Sequence, residues 1–73
     1  MVGVEARQQF AHNLRRQRLR QGLSQEALGE ACGLHRTEIS LLERAGRDPR
    51  LSTIVRIARA LQVKPAALLR GID

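Results

Sequence analysis

Arg36, Thr37 and Ser40 stand at positions i, i+1 and i+4, so a helix through them turns all three hydrogen-bonding side chains to the same side. His35, Leu41 and Arg44 share that side. A short helix with Arg, Thr and Ser at its outward N-terminal end suits the DNA major groove, where an arginine fork makes two hydrogen bonds to guanine. Covalent chemistry has no comparable support. Ser24, Ser40 and Ser52 have no base and orienting acid in a recognisable arrangement. Neither His12 nor His35 has ligand spacing to the other or to Cys32, and a structural zinc usually needs four ligands. There is no glycine-rich phosphate loop. The expectation is a binding protein that is not an enzyme and takes no cofactor, metal or small-molecule ligand.

The composition fits a polyanionic partner. The chain has 73 residues, with thirteen Lys plus Arg against seven Asp plus Glu, a formal net charge of +6. Lys64 is the one lysine among those cations. A field of that sign favours nucleic acid. The charge is uneven: residues 1–24 sum to +4, residues 25–50 to −1 and residues 51–73 to +3. Binding by the nearly neutral middle must therefore rest on placement. The single Cys32 excludes an internal disulfide and falls on a buried face, where it reads as a small packing residue. Apolar runs are too short for a membrane span or a signal peptide, and Met1 to Glu5 read as an ordinary start, so a cytoplasmic protein is expected.

The elements that must position these side chains are helical. Ala, Leu, Arg, Glu and Gln dominate, and no stretch alternates apolar with polar residues. A first helix is predicted over residues 5–21, with Phe10, Leu14 and Arg18 on one face, ended by a left-handed Gly22. Ser24 caps a second helix that buries Ala27, Leu28 and Ala31 and stops at Gly33 after Cys32. The third carries residues 36–44 with Ile39 and Leu42 inward, and Gly46 and Asp48–Pro49 form the loop that follows. Ser52 is expected to cap a fourth helix through Leu61, with Ile54, Ile57, Ala58 and Leu61 inside. Pro65 opens a short fifth that ends near Gly71. The reading is an all-α fold: one compact five-helix bundle over residues 1–73, with a helix-turn-helix over about 25–44. Gly29 lies mid-helix at a cost of about 1 kcal/mol relative to Ala, which close approach of the next helix would explain.

Residues 14–44, LRRQRLRQGLSQEALGEACGLHRTEISLLER, resemble the Cro and phage-repressor class of helix-turn-helix regulators, with a lambda-repressor-like fold. The similarity runs on to about Leu69, and the string RTEISLLERAGRDP resembles the controller proteins of restriction–modification systems. The resemblance implies that Gln25 bonds a DNA phosphate, that Arg36, Thr37, Ser40 and Leu41 face bases, and that Arg44 and Arg47 meet the backbone or groove centre. It also implies an Arg18–Glu43 pair tying the first helix to the recognition helix. An unpaired charge on the Phe10–Leu14 stripe would be costly, so Glu43 is the natural partner of Arg18. Leu41 departs from the polar or small residue often found there and either touches a thymine methyl or shields the surface. Glu38 either accepts from a cytosine amino group or orients Arg36.

Each assignment has a plainer alternative. His35 is either a base reader or a polar surface residue. Arg15, Arg16 and Arg20 are either a solvated face or phosphate contacts, with Arg16 the one assigned to the backbone. Val55, Val63, Leu68, Leu69 and Ile72 are more apolar surface than a small core absorbs, so a homodimer interface is expected at Val55, Leu68, Leu69 and Ile72, within a dimerisation region over about 52–72. Their alternative is to cap the monomer's own core. A dimer would set two recognition helices about 34 Å apart on palindromic double-stranded DNA. The other readings are a phage-type repressor, an antitoxin that also binds a protein, and a non-specific architectural binder. The antitoxin is disfavoured by the lack of a disordered extension.

Overall fold

The computed structural model describes residues 4–73; the reading of residues 1–3 as a plain start lies outside them. Five helices follow one another: α1 (Val4–Arg20), α2 (Gln25–Cys32), α3 (Arg36–Glu43), α4 (Leu51–Leu61) and α5 (Pro65–Leu68). α1 lays Phe10, Leu14 and Arg18 against the core and turns out through Gly22 at φ 70°. Leu23 then packs back on the core, its N–H donating to the Arg18 carbonyl.

Ser24 caps α2 as its type suggests, its Oγ accepting from the Ala27 N–H at 3.0 Å. Leu28, Gly29 and Cys32 form the buried side of this helix. Ala31, expected inside, is exposed, because the helix rolls its glycine toward α3 and sends position 31 to water. A Cβ on Gly29 would sit 2.5 Å from the Leu34 carbonyl oxygen. The close approach is therefore made by the turn before α3 rather than by the helix itself. Gly33 completes the reversal at φ 73°, and Gly29 O accepts from both the Gly33 and Leu34 N–H groups.

The fourth helix starts two residues earlier than its cap reading. Arg50 is the N-cap, with no side-chain bond, and Ser52 lies inside the first turn, so it caps nothing. Ile54, Ile57, Ala58 and Leu61 are buried as their spacing requires. Pro65 begins α5, which stops at Leu68, short of Gly71. The core joins these residues to Leu28, Ile39, Leu42 and Leu68. Leu68, assigned to a dimer interface, is fully buried here: it turns into the monomer's own core between α1 and α4. Val63 and Ile72 also pack against that core.

Candidate nucleic-acid interface

Ile39 and Leu42 anchor α3 in the core and turn its other side to solvent. Arg36, Thr37 and Arg44 are exposed there, with Ser40 and Leu41 half-buried. Leu41 packs across the loop: its Cδ1 lies 2.5 Å from the position a Cβ on Gly46 would take. Arg44 ends α3, with Nε donating to the Ser40 carbonyl of its own helix at 3.4 Å.

His35 is the N-cap of α3. Its Nδ1 accepts from the Thr37 N–H at 3.1 Å and lies 2.8 Å from the Thr37 Oγ1. A histidine is an uncommon cap, which is why composition alone suggests a surface or base-reading role for it.

A buried ion pair ties the recognition helix to α1. Arg18 Nε meets Glu43 Oε2 at 2.6 Å and Nη2 meets Oε1 at 2.9 Å, with side chains only 10% and 5% exposed. The third guanidinium nitrogen, Nη1, donates to the Leu23 carbonyl at 2.8 Å. The Glu43 hydrogen bond holds the Arg18 pKa above its usual value against the opposing effect of burial. Gln25 Nε2 donates to the same Glu43 at 3.2 Å, which uses one of its two N–H groups and leaves one for an outside acceptor.

Two expectations change. Glu38 reaches Arg47, at 2.7 Å, and orients that residue rather than Arg36. Arg16 is turned from the recognition helix: Arg18 marks the α3 side of α1, and a residue two positions earlier lies about 160° round the axis. Arg15, about 60° from Arg18 round the same axis, is exposed and borders one depression of α1 together with Arg16, His12, Leu19 and Arg20.

Several positioning residues carried no signal in the sequence. Arg56 of α4 donates from Nε to Cys32 O at 3.1 Å and from Nη2 to Gly33 O at 2.9 Å, capping the C-terminal end of α2. Arg7 pairs with Asp48 at 2.6 Å and ties the α3–α4 loop to α1. Buried Asn13 donates to the Leu68 and Arg70 carbonyls at 3.0 and 2.8 Å, fixing the C-terminal turn. Among the described residues, every buried side-chain nitrogen and oxygen has a partner. No group of three metal-ligating side chains occurs among them, and no helix there is long and apolar enough to cross a membrane.

A helix-turn-helix family model matches residues 14–68. The chain belongs to that family. Control protein C.SmaI of Serratia marcescens is 41% identical over 66 residues, covering 90% of this chain and 79% of its own. Control protein C.BamHI of Bacillus amyloliquefaciens is 44% identical over 61 residues, covering 82% and 75%. The crystal structure of the restriction-modification controller protein C.AhdI from Aeromonas hydrophila superposes with a TM-score of 0.83 at 37% identity, over 85% of this chain and 94% of that one. This is a helix-turn-helix DNA-binding regulator, close in sequence and fold to restriction–modification controllers. Membership gives the outward side of α3 its meaning, since the second helix of such a motif is the one that enters the major groove.

Proposed function

We propose that this regulator binds a palindromic operator as a homodimer and serves as the controller of a restriction–modification system. The observation that carries the reading is the two-sidedness of α3: Arg36 and Thr37 are exposed and Ser40 is half-buried beside them, while Ile39 and Leu42 of the same two turns are held in the core. Arg36 is the base reader, its fork suited to guanine. Gln25, Arg44, Arg47 and Arg15 take phosphates, Arg15 in place of Arg16. Exposed pairs such as Glu38–Arg47 contribute only about 0–1 kcal/mol, so a phosphate can take over the Arg47 guanidinium. Arg50, exposed at the N-cap of α4, borders the same depression as Arg47 and extends the cationic edge.

The dimer follows from what remains uncovered. Leu51 is 76% exposed and Leu69 40%, and Val55 is half-buried one turn beyond Leu51 on the same face of α4. Leu69 borders a shallow apolar depression with Pro49 and Ile54 at that edge. A two-fold contact there covers Leu51, Val55 and Leu69, with Ile72 at its margin, and doubles the length of DNA read.

The test compares an operator duplex, selected from a random pool by the wild-type protein, with a random duplex across a salt series. Arg36→Ala should lose about 1–3 kcal/mol on the operator only, whereas Arg44→Ala should weaken both duplexes alike and flatten the salt slope. Unchanged base preference in Arg36→Ala removes Arg36 as the reader.

A further inference from the structure

The hydrogen bonds at the start of α3 commit the protons of two side chains. A backbone N–H only donates, so His35 Nδ1, which accepts from Thr37 N–H at 3.1 Å, carries no hydrogen. Thr37 Oγ1 stands 2.8 Å from the same Nδ1. Two bare acceptors at that separation would repel, so the hydroxyl hydrogen lies between them and shares the single Nδ1 lone pair with the backbone N–H in a three-centre bond. Only the oxygen lone pairs are left to face outward.

We propose that His35 is a positioning residue that makes Thr37 an acceptor-only reader, selecting a base with an exocyclic amino group. In the major groove those groups are adenine N6 and cytosine N4, whereas guanine O6 and thymine O4 offer acceptors that the oriented hydroxyl cannot satisfy. A free threonine hydroxyl rotates and accommodates either kind of edge. The device therefore turns an ambiguous side chain into a selective one. It rests on the DNA-reading role given to this face above. Thr37 and His35 are both exposed, so a base edge can reach them without movement of the core.

The experiment is selection of binding duplexes from a random pool by four full-length proteins: wild type, Thr37→Val, His35→Ala and His35→Asn. The position read by Thr37 is the one whose preference disappears in Thr37→Val. Wild type should choose adenine or cytosine there by about tenfold or more over guanine and thymine. His35→Ala should flatten that choice while the positions set by other residues keep theirs. Asparagine is a good cap whose amide oxygen can accept from the same groups, so His35→Asn should restore it. A wild-type preference for guanine or thymine at that position, or an unaltered choice in His35→Ala, overturns the inference alone. Failure of the wild-type protein to enrich any duplex overturns the DNA-reading role and this inference with it. Circular dichroism of each variant confirms that α3 is retained, and a His35→Ala protein that keeps its helices and the adenine–cytosine choice also overturns it.

Discussion

At Gly29 the permitted side chain is set by one carbonyl. Its missing Cβ leaves room for Leu34 O, which would otherwise stand 2.5 Å away, and that oxygen is backbone and cannot swing aside. Gly29→Ala should cost about 1–3 kcal/mol, read as a fall in the thermal midpoint of the isolated protein. Cys32 illustrates a different residue-scale effect. Burial raises the pKa of its thiol above the usual value, outweighing the Leu34 backbone N–H and nearby Arg56, and its Sγ donates to the Gly29 carbonyl at 3.8 Å. The folded thiol stays protonated at a pH where an unfolded one has ionised. This group's contribution is therefore whole below about pH 8.5 and is lost as pH rises toward the folded value. Alkylation at pH 8 should be slow in the native protein and fast in denaturant; equal rates would contradict the burial.

At the scale of elements, the recognition helix is held by charge as well as by apolar contact. Arg18, Glu43 and Gln25 join α1, α2 and α3 through one buried carboxylate. Glu43→Ala leaves the Arg18 guanidinium buried without its counter-charge and should cost about 3–5 kcal/mol, measured by denaturant unfolding. Operator affinity should fall with it even at temperatures where the variant stays folded, because α3 loses its link to α1. Arg56 does comparable work at the turn of the motif, holding the last carbonyls of α2 from α4. Glycine spacing made the turn legible, since Gly33 at φ 73° is a local demand. The Arg56 cap was not legible, as its partners are 24 and 23 residues away and nothing in its neighbours along α4 points to them. Ala45 and Gln62 also adopt positive φ, at 58° and 59°, where their residue types gave no hint.

For the whole molecule, the question is which apolar side chains one small core absorbs. With extents of 30 × 22 × 20 Å, the fold takes in Leu68 and most of Ile72 and leaves Leu51 and Leu69, with Leu19 of α1, outside. Leu51→Glu should leave the thermal midpoint of the monomer nearly unchanged and abolish dimerisation in sedimentation equilibrium. A wild-type protein that remains monomeric at high micromolar concentration would remove the two-fold interface from the proposal.

The sequence alone was enough for the helix order, the inner faces of α1, α3 and α4, and the outward position of Arg36, Thr37 and Ser40. These depend on periodicity and on glycines at turns, which are properties of neighbours along the chain. Tertiary structure decided the rest. It buried Leu68, bared Leu51, turned Ala31 to water, joined Glu38 to Arg47 and set His35 against Thr37 at the head of the recognition helix. The roll of each helix, and the direction of its long side chains, follow from what packs against it, and contacts between distant segments exist only after the chain has folded.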